Sequence, residues 1–202
     1  LDLPELVGRL LTARGVGVEA AGDFLDPTLR ALLPDPSTLA DMDRAAARLA
    51  DAVRRGETVA VFGDYDVDGA CSGALMVRAL RQLGCMVTHY VPDRLKEGYG
   101  PNAVAIGTLC DRGATLIICV DCGVAAYAAL AAAEGRAEVV VLDHHKAEGP
   151  VPPVAAVVNP NRLDCGSGLR HVCAATVAFL TMVAVHRALR RTGHFAGAEE
   201  PR

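Results

Sequence analysis

The sequence predicts a layered α/β fold: a parallel sheet of roughly five strands with helices on both faces, Rossmann-like in its layering. Three observations carry this expectation. Short apolar runs alternate along the chain with longer segments of helical periodicity. The runs are continuous rather than alternating, as expected of strands covered on both faces. Three of them end directly in Asp or His residues, at the strand ends where such sheets place their ligands.

The chain opens with a short helical preamble, residues 1–36, in which Leu3, Leu6, Val7, Leu10 and Leu11 mark one face. Pro27, Pro34 and Pro36 then break up the connection to a main domain over 37–202. Asp41 is placed to cap a helix running to about Arg55, and Gly56 stops it. The first strand is 59–62. A helix follows over about 70–83, then a strand over 85–91. Pro101 suits the first turn of a helix ending at Gly113. The third strand, 115–120, precedes an alanine-rich helix over about 124–134. A fourth strand, 138–142, and a fifth, 154–158, lead to a long helix over about 169–191 with Val172, Ala175, Phe179 and Met182 on its buried side. The tail from Phe195 reads as loop or disorder.

Half the residues are hydrophobic, tryptophan is absent and aromatics are few, so the core is expected to be aliphatic. The formal net charge of −4 argues against a free-standing, sequence-independent nucleic-acid binder, which normally carries a basic stripe. It is compatible with a nuclease whose acidic site is masked by metal. The seven cysteines are odd in number and several fall in apolar segments, which reads as reduced thiols in a cytoplasmic protein. Cys119 and Cys122 form a C-x-x-C, but Cys119 lies inside a strand and no second pair completes a zinc site. No apolar run approaches a membrane span, and the N-terminus carries no signal-peptide pattern. Because the sequence does not start with Met, a fragment or processed product is expected.

The chemistry collects after the first, third and fourth strands. Asp64, Asp66 and Asp68 alternate in GDYDVDG, Asp121 stands at the tip of the third strand, and Asp143, His144 and His145 follow the fourth. Three like charges within five residues repel, and gathering them calls for cations. A calcium loop of the EF-hand type matches the first six positions, but position twelve is Leu75 where a bidentate Glu is needed. A mixed Asp/His donor set favours Mn²⁺ or a related divalent ion, and several carboxylates can hold two ions for attack on phosphorus. Neither a P-loop nor a dinucleotide fingerprint is present, and no Ser or Cys has the context of an acyl-transfer nucleophile.

GDYDVDGACS, VDCG and LDHH, in this order, resemble the first three motifs of the DHH phosphoesterase superfamily. RLKEGYGPN and VVNPNR add a finer resemblance to its RecJ family of single-strand-specific 5′→3′ exonucleases. The resemblance implies a DHH-type fold and two Mn²⁺ or Mg²⁺ ions. It implies Asp64, Asp66, Asp68, Asp121 and His144 as ligands, with Asp121 bridging. It implies that His145 contacts the scissile phosphate and that Asp143 orients the histidines. Arg94 and Arg162 are candidates for substrate phosphate. The implied substrate is single-stranded DNA, in repair and recombination. Two departures stand out: Phe62 occupies a position, four residues before Asp66, where some members carry a histidine, and no aspartate follows the long helix to serve as the family's fourth-motif ligand. An N-terminal piece of a longer enzyme is therefore expected, with the remaining domains of the same chain as its partners and little activity alone. The alternatives are a DHH phosphoesterase acting on pyrophosphate, short oligonucleotides or cyclic dinucleotides, and a non-catalytic binding module of the same fold.

Overall fold

A computed structural model describes residues 3–197 and 200–201. Leu1 and Asp2 of the preamble, and Ala198, Glu199 and Arg202 of the tail, lie outside the described residues. The chain divides into two compact units, Leu1–Asp35 and Pro36–Arg202. The first holds three short helices, α1 (Glu5–Ala13), α2 (Ala21–Leu25) and α3 (Leu29–Leu32). Of the expected apolar stripe on α1, Leu11 is buried while Leu6 and Leu10 stay exposed.

The second unit runs α4 (Met42–Arg55), β1 (Thr58–Gly63), α5 (Val67–Gln82), β2 (Met86–Tyr90), α6 (Ala103–Asp111), β3 (Leu116–Val120), α7 (Tyr127–Leu130), β4 (Glu138–Leu142), β5 (Ala156–Val158) and α8 (Ala174–Arg191). The five strands form one sheet in the order β2-β1-β3-β4-β5, and every pairing is parallel. Side-chain alternation along each strand sorts the core into two layers. Val59, Val61, Leu116, Ile118, Val140 and Leu142 pack with residues of α4, α5 and α8. Ala60, Phe62, Ile117, Cys119, Val139 and Val141 pack with residues of α6 and α7 on the other face. No helix among the described residues is long and apolar enough to cross a membrane.

The register positions the site. Gly63 pairs with Val120, Val120 with Leu142, and Leu142 with Val158. The next residue along each strand gives the row Asp64, Asp121, Asp143 and Asn159. Two further bonds extend the ladder into that row: Asp121 N–H to Leu142 O at 2.9 Å and Asp143 N–H to Val158 O at 3.0 Å.

Several boundaries differ from the sequence expectation, each for a local reason. Helix α5 begins at Val67, earlier than expected, because Asp66 is its N-cap and accepts from Gly69 N–H at 2.9 Å. Asn102, not Pro101, opens α6, with its side chain accepting from Ala105 N–H at 2.8 Å. The alanine-rich helix shrinks to α7 and a 3-10 turn, Ala131–Ala133. Val124 N–H is drawn to the Asp143 carboxylate instead of entering a helix, and Gly123 sits at φ 112°. Helix α8 starts at Ala174, where the Asp68 carboxylate accepts from Ala174 and Ala175 N–H, both at 2.8 Å. On its face, Val177, Thr181 and Val185 are fully buried, whereas Phe179 is only partly so. Asp41 takes the N-cap position of α4 without capping it: at φ 60° its side chain turns to Arg44, Val157 and Arg162 instead. In the tail, Glu200 bonds His186 and Arg190 at 2.8 Å, so that part is anchored rather than loose.

Phe62 is fully buried and stacks on Tyr90 with centroids 5.3 Å apart. Its ring belongs to the α6 layer. Phe62→Ala should destabilise the second unit by about 3–5 kcal/mol through the cavity it leaves, and Phe62→Leu by about 1 kcal/mol, as read by urea denaturation.

Candidate metal centre at the carboxyl edge of the sheet

The loop after β1 and the first turn of α5 deliver three carboxylates in three environments. Asp64 is buried and accepts from Tyr65 N–H at 2.7 Å; burial pushes its carboxyl above the usual range. Asp66 is exposed, and its bond from Gly69 N–H pulls it below that range. Asp68 spends two hydrogen-bond positions on the α8 N-terminus and keeps Oδ2 3.5 Å from His144 Nε2. Gly69 permits this fold-back: a Cβ there would lie 2.6 Å from the Asp64 carbonyl oxygen.

Asp121 sits at the centre. Its backbone is left-handed, φ 59°, an uncommon conformation for a residue with a side chain. It is 1% exposed, and Oδ1 has no hydrogen-bond partner. His144 Nε2 lies 3.2 Å from that oxygen, but off the line of an N–H···O bond. Burial first, then the charges of Asp68 and Asp66, push the Asp121 carboxyl up to about 8. One donor atom each from Asp64, Asp66 and Asp121 lie within 4.8 Å of one another, and the same holds for Asp121, His144 and His145. Asp121 thus belongs to both groups.

Asp143 has a different duty. It is buried, and its Oδ1 accepts from His144 N–H at 2.7 Å, His145 N–H at 3.1 Å and His145 Nδ1 at 2.7 Å; Oδ2 accepts from Val124 N–H at 3.0 Å. Burial alone would raise its carboxyl, but the bonds from His145 and Val124 outweigh it and the net shift is downward. The Asp143 bond in turn raises His145 above the ordinary imidazole value. With Nδ1 turned to Asp143, Nε2 of His145 faces the Tyr99 hydroxyl at 3.3 Å.

The two candidate arginines part company. Arg94 is exposed and lies over the Tyr65 ring, 5.3 Å from its centroid, on the site's rim. Arg162 is not free to take a phosphate. It is 6% exposed, its Nη1 donates to Asp41 at 2.7 Å and to Val157 O at 2.5 Å, and its Nε and Nη2 grip Asp164 at 2.8 and 2.6 Å. Sequence reasoning offered Arg162 to a substrate phosphate because, of its two carboxylate partners, only Asp164 is near it in the chain. It also gave no role to Tyr99, which touches His145 and donates to Asp121 O at 3.3 Å, or to Asn159 and Asn161, whose amides hold the carbonyls of His145 at 2.9 Å and His144 at 2.6 Å. The only sequence signal for these was the stretch in which each stands. Cys119 and Cys122 are both buried and free, and Cys122 Sγ turns to Val120 O at 3.3 Å.

Residues 58–198 match the DHH family, N-terminal domain. The chain belongs to the DHH family. It is 37% identical over 180 residues to the single-stranded-DNA-specific exonuclease RecJ of Bacillus subtilis, a match covering 89% of this chain and 23% of that protein. A crystal structure of exonuclease RecJ bound to manganese superposes on 75% of the chain with a TM-score of 0.68 and 37% identity, and the chain spans 38% of it. RecJ of Thermus thermophilus in complex with Mn²⁺ covers the whole chain with a TM-score of 0.69 and 33% identity, and the chain spans 29% of it. The chain therefore spans well under half the length of these relatives. The sheet topology and helical layers are those of this DHH-type α/β fold.

The raised Asp121 carboxyl has a measurable consequence. Its folded value of about 8 stands above the ordinary 3.8, so the folded state holds this proton more tightly. Stability from this group is complete below the unfolded value and is lost as pH rises through about 8. His145, also raised, acts in the same direction above its ordinary 6.5. In chelator, the melting temperature should fall as pH rises from about 5 to 8.5, and Asp121→Asn should remove most of that slope. An unchanged slope in the variant would place the ionisation elsewhere.

Proposed function

We propose that the chain carries a two-ion phosphodiesterase site for Mn²⁺ or Mg²⁺, and that its substrate is single-stranded DNA, degraded from the 5′ end in repair and recombination. The observation that carries this reading is Asp121: a buried carboxylate oxygen without a hydrogen bond, in a strained backbone, shared by two groups of potential ligands. The donor set fits hard divalent ions, since it is built from carboxylate oxygens and imidazole nitrogen. Asp64, Asp66 and Asp121 would hold one ion; Asp121 and His144, with Asp68 beside them, would hold the other. When bound, the ions would supply charge neutralisation for the phosphate and a water acidic enough to attack it.

The chain's own residues do the rest. Asp143 fixes His145 by its Nδ1 and raises the ring's proton affinity above the ordinary imidazole value, which favours the form whose Nε2 can give a proton to the leaving oxygen. Arg94, exposed beside Tyr65 on the rim, is placed to meet a substrate phosphate. The preference for single-stranded DNA rests on the named activity of the relatives. A cytoplasmic setting fits the free cysteines. The remaining length of those relatives is proposed to supply the further ligand carboxylate and the surface that grips the strand.

In the natural full-length protein, Asp121→Asn should lower the rate on 5′-phosphorylated single strands by at least about a hundredfold and abolish binding of one Mn²⁺ by calorimetry. Cys122→Ser should leave the rate within about twofold. Faster hydrolysis of a dinucleotide than of a long strand would favour the small-substrate reading, and a dead Cys122 variant beside a live Asp121 variant would end the metal reading.

A further inference from the structure

The loop after β5 supplies none of the potential metal ligands, yet it grips the segment that supplies two of them. His144 and His145 each have their N–H taken by Asp143 Oδ1, at 2.7 and 3.1 Å. Their carbonyls are taken from the other side: His144 O by Asn161 Nδ2 at 2.6 Å and His145 O by Asn159 Nδ2 at 2.9 Å. The two asparagines are locked together, since Asn159 Oδ1 accepts from Asn161 N–H at 2.7 Å. Both histidines thereby have their backbone donor and acceptor pinned.

The asparagines need an anchor of their own, and the next residue is one. Arg162 is buried; its backbone N–H reaches Asn159 O at 3.3 Å and its guanidinium is shared by Asp41 and Asp164. Asp41 comes from the start of α4, far away in sequence. With Arg162 it takes both backbone groups of Val157 in β5: the N–H goes to Asp41 Oδ2 at 3.2 Å and the carbonyl to Arg162 Nη1 at 2.5 Å. Among the described residues, Asp41 and Asp121 alone of the non-glycines have positive φ, at 60° and 59°. A residue held in that conformation without a cap bond is held by its other partners, here Arg44, Val157 and Arg162.

We propose that Arg162, clamped by Asp41, is a positioning residue for His144 and His145, acting through the amides of Asn159 and Asn161. The fork geometry matters, because a lysine could reach one carboxylate but could not span Asp41, Asp164 and Val157 O together. Groups that orient ligands in this way usually count for as much as a loss of tenfold or more in metal affinity. The metal part of the proposal rests on the two-ion reading; the backbone part does not.

The test uses the 202-residue chain with Arg162→Lys, Asn161→Ala and, as a control, Arg48→Met. The control breaks the ion pairs of Arg48 with Glu57 and Glu138 at the opposite, amino edge of the sheet. Arg162→Lys and Asn161→Ala should both shift the backbone amide resonances of His144 and His145 and weaken Mn²⁺ binding by about tenfold or more, read by electron paramagnetic resonance. Arg48→Met should lower the melting temperature while leaving those resonances and the Mn²⁺ affinity as in the wild type. If Arg162→Lys lowers only the melting temperature, as the control does, Arg162 is structural and the proposal is overturned; Asn161→Ala, at a partly exposed position, decides the same question should Arg162→Lys fail to fold. If the wild type binds no Mn²⁺, the two-ion reading fails, and the amide resonances still decide whether Arg162 positions the histidines.

Discussion

Negative charge crowded onto one row of the sheet is the constraint around which this fold is arranged. The register that aligns Gly63, Val120, Leu142 and Val158 makes Asp64, Asp121 and Asp143 near neighbours. Each carboxylate has a different relief. Asp143 accepts four bonds and stays ionised despite burial. Asp66 leans on Gly69 N–H and Asp68 on the first turn of α8. Asp121 has no such relief on Oδ1, and burial, with the charges of Asp68 and Asp66, raises its proton affinity. Charge that the protein leaves uncompensated at one point is charge available to a cation.

What the sequence made legible follows from period and position. Strand β4 occupies the residues its apolar run marked, and the Asp and His residues at strand ends meet because parallel strands all point the same way. What stayed hidden depends on bonds between residues far apart in the chain. Asp41 reaches Val157 and Arg162, and Asp68 reaches Ala174 and Ala175, across more than a hundred residues. No local window contains both partners. Asp41 read as an ordinary cap, Arg162 as a contact for substrate phosphate and the start of α8 as a continuous periodic run, each reasonable until its distant partner is known.

Phe62 departs from the family pattern and takes a packing role. Side chains of β1 alternate between the two layers, and Phe62 belongs to the α6 layer, where it meets Tyr90. Tyr90 in turn donates to Glu97 at 2.5 Å, which also accepts from Asp93 N–H at 2.7 Å and Asn102 Nδ2 at 3.2 Å. The aromatic pair therefore supports the loop that carries Arg94 and Tyr99 to the rim. Its contribution to the site runs through packing, where a histidine's would run through ligation.

Asp68 carries two duties that need not compete. A carboxylate offers about four acceptor positions, and Ala174 and Ala175 N–H take two of them. Oδ2 still lies 3.5 Å from His144 Nε2, within the site. Capping fixes the carboxylate's orientation and places the positive end of a long helix beside it, which offsets part of its charge. Asp121, with no bond on Oδ1, thus has more need of a cation than Asp68. Because Asp68 stands in the first turn of α5, and α8 packs against both α4 and α5, its position is set by the core. The acidic row is held in place by the hydrophobic layer behind it.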